Sequence, residues 1–276
     1  MIRSDFHLHT NASDGTETRL QLIKIALQNN VKYMSITDHD TMINTSDERI
    51  GDLRLIRGCE LSAKDGKTGR RVHILCYDPE DTKELEEYFE YMRSERLRVG
   101  KKYLENIADR FPVIDMGDLE PYMQLSGTVF KSYIMQAVMT YGYATEVYGD
   151  LYRELFGMGT PNGGIRVEYG DVRDVARIAR RSGGLCSVAH PSVYRSMDVT
   201  KELLDADAVD AVEVWHPRNA EEDKTVLKEW CTEKGLIMTG GTDYHGMLSS
   251  VPCVPGMTGP DDENLRRILE RLGIRD

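Results

Sequence analysis

The sequence has no long apolar run and no secretory signal pattern, and both absences exclude membrane proteins. No apolar segment approaches the ~18 residues that a membrane-spanning helix needs. The first residues also lack the charged, apolar and small-residue order of a signal peptide. We therefore expect a soluble, cytoplasmic protein that does not bind membranes.

Cysteine is scarce and scattered. The five cysteines are Cys59, Cys76, Cys186, Cys231 and Cys253. Their odd number and the lack of a Cys-x-x-Cys pair argue against a disulfide framework and against a thiolate zinc site. We expect them to be reduced packing residues.

The chain has fewer basic than acidic residues. It contains 35 lysines and arginines and 46 aspartates and glutamates, and its formal net charge is -11. A surface of this sign repels a long polyanion, so long duplex nucleic acid is not an expected partner. Small phosphorylated substrates remain compatible with it, because bound divalent cations reverse the sign locally.

The chain of 276 residues alternates β-rich and helical patterns over a length that barrel domains routinely use. Strands are predicted at residues 2–6, 32–36, 54–59, 71–77, 185–189, 211–215 and 236–239. Helices are predicted at residues 18–28, 219–233 and 262–271. This alternation predicts about seven parallel strands in an α/β barrel.

A central stretch interrupts the alternation and contains no histidine. It is helical in pattern at residues 101–108, 129–141 and 146–156, and a glycine-rich segment closes it. We interpret it as a helical lid or specificity subdomain. The predicted domains are a barrel of residues 1–97 and 165–276 and an insertion of residues 98–164.

All the histidines of this chain lie in similar sequence contexts. The seven histidines are His7, His9, His39, His73, His190, His216 and His245, and each lies in a short segment beside an apolar run. We place all of them at the carboxyl ends of strands, the face on which barrels of this type build their active sites. The pattern predicts a polynuclear metal site.

Two pairs with one-residue spacing give the strongest indication. His7 and His9, like Asp243 and His245, are two residues apart, so on a strand both side chains of a pair point to the same side. Glu60 follows an apolar run, where an ionised carboxylate without a cation would be costly to bury. We interpret it as a bridging ligand; the alternative is a solvated loop glutamate.

Taken in order, these motifs resemble the PHP (polymerase and histidinol phosphatase) family. The resemblance covers the chain from His7 to His245 and rests on His7-x-His9-Thr10, Thr37-Asp38-His39-Asp40-Thr41, Gly58-x-Glu60, His73, Ala189-His190-Pro191 and Gly241-Thr242-Asp243-x-His245. It implies a distorted seven-stranded (β/α)7 barrel, similar to a TIM barrel, with a helical insertion.

The resemblance also implies three divalent metal ions. The first would be held by His7, His9, Glu60 and Asp243, the second by Glu60, His73 and His190, and the third by Asp14, His39 and His245. Imidazole and carboxylate donors suit manganese, iron or zinc. Manganese is our first choice.

Within the family, the insertion and the segments 142–144 and 157–161 are most similar to stand-alone phosphoesterases of nucleoside 3′,5′-bisphosphates and short oligoribonucleotides. We expect a metal-activated hydroxide to hydrolyse the 3′-phosphate of a nucleoside 3′,5′-bisphosphate, with short oligoribonucleotides as further substrates. The alternatives are a histidinol-phosphate phosphatase, an amidohydrolase, a proofreading exonuclease module and a non-catalytic metal-binding regulatory protein.

Residues outside the ligand set have two interpretations each. We assign catalysis to His39, Glu60 and His216, and substrate binding to His216, Lys131, Arg195 and Arg218. His216 is either a proton donor or phosphate contact, or a packed or solvent-exposed histidine before Pro217. The three cations are either phosphate contacts or solvated charges.

Two further groups complete the predictions. Asp38 and Asp40 either orient the ring of His39 or cap a following helix. A basic run is interpreted as a solvated helix face; it consists of Arg93, Arg96, Arg98, Lys101 and Lys102.

Overall fold

The fold is a mixed α/β arrangement around a nearly closed, barrel-like sheet. The computed structural model describes residues 3–44, 46–160 and 162–275. Ile2 of the first predicted strand and Pro161 of the segment 157–161 lie outside the described residues. None of the described helices is both long and apolar enough to cross a membrane.

Nine strands form one sheet among the described residues. They are β1 (Ser4–Asp5), β2 (Tyr33–Ile36), β3 (Glu48–Ile50), β4 (Leu53–Lys64), β5 (Arg71–Tyr77), β6 (Gly170–Asp171), β7 (Leu185–Ala189), β8 (Ala211–Trp215) and β9 (Ile237–Gly240). The continuous order is β1-β2-β4-β5-β7-β8-β9, and β3 and β6 pair only with β4. All seven predicted runs are strands on this path, whereas β3 and β6 were not predicted.

Nine α-helices surround or cover this sheet in the described part of the chain. They are α1 (Arg19–Gln28), α2 (Lys83–Ile107), α3 (Glu120–Met123), α4 (Lys131–Thr140), α5 (Asp150–Phe156), α6 (Val172–Arg181), α7 (Met197–Asp205), α8 (Glu221–Lys234) and α9 (Asp262–Arg271). Local signals fix several boundaries. Thr18 and Gln21 form a capping box at α1, and Gly235 ends α8 with a φ of 63°.

The two ends of the strand path meet just beyond β1 and β9. The backbone N–H of Phe6 donates to the carbonyl of Gly240 at 3.2 Å, and that of Asp243 donates to the carbonyl of His7 at 2.9 Å. Leu8 and Tyr244 add a parallel bridge. These contacts bring the His7-x-His9 and Asp243-x-His245 segments side by side.

Strand β5 runs opposite to the direction we predicted. It is antiparallel to both β4 and β7. The prediction of uniformly parallel strands is therefore wrong at β5, because only residues 65–70 join it to β4 and a parallel crossover needs about a dozen residues or more. His73 consequently lies near the start of its strand and still reaches the edge where its neighbours end.

Alternation along β5 explains why this strand is apolar from Ile74 to Tyr77. Leu75 and Tyr77 belong to the core inside the barrel, while Val72, Ile74 and Cys76 pack outward beneath the helices. A strand covered on both faces carries no regular polar alternation. His73 shares the inward face with Leu75 and Tyr77.

The insertion has a hydrophobic core of its own but no separate start. Val99 of α2, Ile134 and Val138 of α4 and Leu155 of α5 belong to one buried cluster, distinct from the barrel cores. Helix α2 continues without a break through the predicted boundary at residue 98. The insertion is thus an extension of a barrel helix, and its domain assignment stays a prediction.

Candidate metal centre

Seven of the nine predicted ligands line the floor of one cavity of about 900 Å³. They are Asp14, His39, Glu60, His73, His190, Asp243 and His245. His7 and His9 lie fully buried beneath them. Residues from six segments of the chain therefore converge at a single edge of the sheet, as the sequence predicts.

Glu60 lies at the middle of this cluster, and its two carboxylate oxygens face different histidines. Its Oε2 lies 3.3 Å from His7 Nε2, 3.2 Å from His9 Nε2 and 3.1 Å from His39 Nδ1. Its Oε1 lies 2.7 Å from His73 Nδ1 and 3.0 Å from His190 Nε2. A carboxylate shared in this way is placed to bridge two ions.

Two further carboxylates close the cluster from the other side. Asp243 Oδ1 lies 3.4 Å from His7 Nε2 and 3.3 Å from His9 Nε2. Asp14 Oδ1 lies 3.3 Å from His245 Nε2 and 3.8 Å from His9 Nδ1. His9 therefore stands between both carboxylates.

Several buried atoms of the cluster have no hydrogen-bond partner. They are His7 Nε2, His9 Nε2, Asp14 Oδ1, His39 Nδ1, Glu60 Oε2 and His190 Nδ1. Leaving one buried polar atom unpaired costs about 1–3 kcal/mol, so six in one place require a common partner. Divalent cations satisfy all of these nitrogen and oxygen donors. The residues fit a metal centre.

Three sets of donor atoms are close enough to hold an ion. The sets are His7, His9, Glu60 and Asp243; His39, Glu60 and His73; and His9, Asp14, His39 and His245. The first matches the grouping implied by the resemblance. The second set contains His39 where the resemblance implies His190, and the third adds His9 to the implied residues. His190 contacts Glu60 instead.

Electrostatics keep the carboxylates ionised. Burial acts to raise the pKa of Glu60, but His39, His73 and His7 outweigh it and hold that pKa well below its usual range. Burial likewise opposes a positive charge on His9, yet Asp243 and Glu60 raise its pKa to about 10. The cluster therefore demands positive charge, which protons and metal ions compete to supply.

Asp38 and Asp40 play neither of the roles we predicted. Asp38 accepts hydrogen bonds from the backbone and hydroxyl of Thr10 and from the hydroxyl of Ser13, at 2.6–2.8 Å. Asp40 accepts from the backbone of Ser62 at 2.8 Å and from Arg96 at 2.6 Å. No helix begins among the described residues between Asp40 and β3, so neither carboxylate caps one there.

His216 lies behind Asp243 and is only 1% exposed. Its Nδ1 accepts the backbone N–H of Arg218 at 3.1 Å, and its Nε2 lies 3.4 Å from Asp243 Oδ2. It is not among the described residues that line the cavity. This burial agrees with the interpretation of a packed histidine, and its place suits orientation of Asp243. Its catalytic and substrate-binding roles stay predictions.

The predicted cations divide into two groups. Lys131 and Arg218 line the cavity, and the Lys131 ammonium lies 5.2 Å and 5.1 Å from the ring centres of Tyr103 and Phe156. Arg195 is exposed and does not line the cavity in the described structure. The structure does not bring it to the site.

Arg96 lines the cavity, and its interpretation as a solvated residue is wrong. It is 9% exposed, its Nε has no partner, and its guanidinium lies 4.7 Å from the ring centre of Phe130. A periodic signal was present, because Arg96 falls on the buried stripe of α2 with Met92 and Val99. The sequence prediction overlooked this stripe because Arg96 lies within a run of basic residues.

Sequence reasoning also missed Arg71, Arg166 and Glu213. Arg71 and Arg166 line the cavity, and neither sits in a motif. Glu213 is fully buried on β8. Its signal was a single carboxylate in the apolar run Ala-Val-Glu-Val-Trp, where burial requires a partner.

Known proteins resemble this chain over most of its length. No protein-family profile matches the chain. A phosphoribosyl 1,2-cyclic phosphate 1,2-diphosphodiesterase from Eggerthella lenta is 30% identical over 259 residues, which are 91% of this chain and 97% of the relative. The crystal structure of a metal-dependent phosphoesterase from Bifidobacterium adolescentis has a TM-score of 0.82 and is 26% identical, covering 99% of this chain and 96% of that one.

The chain belongs to the PHP family of metal-dependent phosphoesterases. A 5′-3′ exoribonuclease, Rnm, from Escherichia coli K12 is a further relative, 27% identical over 254 residues that are 87% of this chain and 84% of the relative. This PHP protein is a metal-binding hydrolase of phosphate esters. The predicted family and enzyme class are confirmed.

Proposed function

We propose that this PHP protein hydrolyses the phosphate ester of a small substrate that carries a second phosphate, with the 3′-phosphate of a nucleoside 3′,5′-bisphosphate as the scissile group. The main observation in support of this proposal is a cluster of three cationic side chains on the cavity wall. Arg71, Lys131 and Arg166 line the same cavity as the metal centre. We call them the cationic wall.

The cationic wall has no carboxylate partner among the described residues. Arg71 lies over Tyr169 and Tyr194, Lys131 over Tyr103 and Phe156, and Arg166 contacts a methionine sulfur. Burial, followed by the charges of Arg71 and Arg166, lowers the pKa of Lys131 to about 8. Like charges held together in this way are stabilised by an anion, and a phosphate that does not react supplies one.

Arg96 supports the position of the scissile group. Two of its contacts go to Asp40 and Ser62, which lie beside the metal ligands His39 and Glu60. Its Nε has no partner and the side chain lines the cavity. We assign the positive charge of this guanidinium to the attraction of a phosphoryl oxygen of the reacting ester.

Aromatic rings supply a surface for the remainder of the substrate. The cavity is lined by Tyr103, Phe130, Tyr148, Tyr152, Phe156, Tyr169 and Tyr194. Nucleobases stack on such rings with about 1–3 kcal/mol per base. This feature favours a nucleoside over a bare sugar phosphate. Residues 98–164 provide five of the seven rings, in keeping with a lid.

We assign the nine ligands to up to three ions, with manganese as the first candidate and iron or zinc as alternatives. Bound divalent ions would activate water and neutralise phosphoryl oxygens. Glu60 and Asp243 hold the histidines around them, Arg96 orients the ester, and the cationic wall fixes the distal phosphate. We also propose that the seven strands of the continuous path correspond to the family's seven-stranded barrel.

A second candidate substrate comes from the Eggerthella relative, whose name specifies a phosphoribosyl cyclic phosphate. That compound also carries a phosphate remote from the reacting one, so the cationic wall suits both candidates. The aromatic surface distinguishes them, since the cyclic sugar phosphate has no base to stack.

A product assay on the manganese-loaded protein tests the proposal. Phosphate release is measured for the monoesters, and the ring-opened product is measured by chromatography for the cyclic diester. The substrates are a nucleoside 3′,5′-bisphosphate, the matching 3′-monophosphate, phosphoribosyl 1,2-cyclic phosphate and histidinol phosphate. We expect kcat/KM for the bisphosphate to exceed that for the 3′-monophosphate at least about tenfold, because one charge-assisted hydrogen bond is worth about 1.5–3 kcal/mol. Equal values for these two substrates would refute the distal phosphate site. A preference for the cyclic substrate would select the second candidate.

A further inference from the structure

Glu213 is a buried carboxylate that joins two of the proposed ligands from behind. It lies on β8 and is fully buried. Its Oε1 lies 2.9 Å from His7 Nδ1, and its Oε2 accepts the backbone N–H of His190 at 2.8 Å. Each oxygen therefore holds a different histidine.

These two histidines contact different oxygens of Glu60. We call the ligands on the Oε2 side and those on the Oε1 side the two halves of the centre. His7 faces Oε2 of Glu60, whereas His190 faces Oε1 of the same carboxylate. Their rings stack with centres 5.4 Å apart and an angle of 21°. A single side chain thus fixes one member of each histidine set around Glu60.

The contact with His7 selects its tautomer. Because a carboxylate accepts but does not donate, the proton of the neutral imidazole lies on Nδ1, and Nε2 presents its lone pair to the cluster. His7 Nε2 is one of the buried atoms without a hydrogen-bond partner. Glu213 therefore prepares that nitrogen for a metal ion.

The contact with His190 restrains an uncommon backbone. His190 has a φ of 27°, in the positive range that residues other than glycine seldom adopt. The hydrogen bond from its N–H to Glu213 holds that conformation. Glu213 is itself anchored, since the side chain of Asn219 donates to its carbonyl at 2.9 Å.

We propose that Glu213 is a positioning residue that couples the two halves of the metal centre, so that its loss weakens both together. The proposal rests on the assignment of His7 and His190 as ligands. It does not depend on the identity of the substrate. Glu213 touches no reacting atom and acts only through the two histidines.

Glu213→Gln is the decisive variant, because glutamine keeps the shape but has only one acceptor oxygen for two donors. We expect manganese affinity to fall about 10–100-fold. The electron paramagnetic resonance signature of neighbouring manganese ions should weaken in parallel, and kcat for an aryl phosphate should fall with little change in KM. Glu213→Asp, which keeps both oxygens on a shorter stem, should recover part of each loss.

Glu233→Gln is the matched control, since it removes the same charge from an exposed position of α8. It should leave metal affinity and the resonance signature unchanged. Thermal unfolding of each variant in chelator checks the fold independently of metal. If Glu213→Gln does not fold, the same measurements on Glu213→Asp decide.

Three outcomes are distinguishable from one another. Normal manganese affinity and a normal coupled signature in a folded Glu213→Gln protein would overturn the positioning role while leaving the ligand assignment and the proposed function intact. The same result in Glu213→Asp has this meaning where Glu213→Gln does not fold. Wild-type protein that binds no more than one ion would overturn this role together with the ligand assignment. A loss confined to the His7 half would also refute the coupling.

Discussion

The guanidinium of Arg96 lies 2.6 Å from the carboxylate of Asp40, and both side chains are buried. Asp40 directly follows His39, and Arg96 also contacts Ser62, two residues beyond Glu60. The helix that leads into the insertion is thereby tied to two ligand-bearing segments. The contacts of Arg96 therefore connect the insertion to the metal centre.

Breaking this pair should destabilise the protein strongly. We expect Arg96→Met to lower the free energy of unfolding by about 3–5 kcal/mol, because it leaves the Asp40 charge buried without its partner. Urea denaturation measures the change. Arg98→Met is the control, since Arg98 is exposed on the same helix, and it should change stability by no more than about 0.5 kcal/mol. Equal effects of the two variants would contradict the buried pair.

Glu60→Gln tests the centre itself. The substitution keeps the shape but removes the charge that five histidines surround, so metal content and phosphoester hydrolysis should collapse together. Elemental analysis and phosphate release measure the two quantities. Glu86→Gln, an exposed position of α2, serves as control. Normal turnover with normal metal content in Glu60→Gln would show that the bridging assignment is wrong.

Lys131→Ala separates substrate binding from metal binding. The side chain lies on the cationic wall and not in the cluster, so metal content should be retained while KM for a bisphosphate rises about tenfold or more. Arg218→Ala should act in the same direction. Lys102→Ala, which removes an exposed lysine of α2, should change neither quantity. Loss of metal in Lys131→Ala would refute the separation.

Lys131 should also impose a pH dependence on substrate binding. Its pKa of about 8 means that the ammonium loses its charge as the pH rises through that value, so kcat/KM for the bisphosphate should decline above about pH 8. The groups that face it are Arg71, Arg166, Tyr103 and Phe156. In Lys131→Arg this inflection should vanish, and its persistence there would assign it to another group.

The same shift has an opposite consequence for folding. Because the folded pKa lies below the ordinary value of 10.5, burial of the charged lysine destabilises the protein in full below about pH 8. That contribution disappears as the pH rises towards 10.5. The gain in stability of Lys131→Met over wild type should therefore be largest below pH 8 and shrink above it, in unfolding measured across this range.

The ligand segments could be predicted from sequence because each is local: histidine and carboxylate follow an apolar run, and the spacing itself sets their direction. The residues that surround the ligands could not be predicted in this way. Arg96 meets Asp40 from 56 positions away, and Glu213 meets His7 from 206 positions away. Such partners depend on which strands and helices become neighbours, which no local pattern records.

Strand direction was predictable in principle and was missed. The connection of six residues between β4 and β5 already excludes a parallel crossover. The environment of His216, by contrast, could not be predicted. A histidine before a proline does not indicate whether its side chain faces a cavity or packs behind Asp243.

The reversed strand also has a consequence for the order of folding. Most neighbours in this sheet are joined through helices and long loops, whereas β4 and β5 form a hairpin closed by residues 65–70. Contacts of short sequence separation form early, since little chain entropy is lost in closing them. Ser62 is opposite His73 in this hairpin, and Glu60 is opposite Leu75 on the same face. The backbone groups of Leu61 and Ile74 face each other across the hairpin, whereas the Glu60 N–H donates to Asp38 outside it. We therefore expect pulse-labelling hydrogen exchange to show the Leu61 and Ile74 amides protected before that of Asp243, so that the segments bearing Glu60 and His73 pair while the barrel is still open.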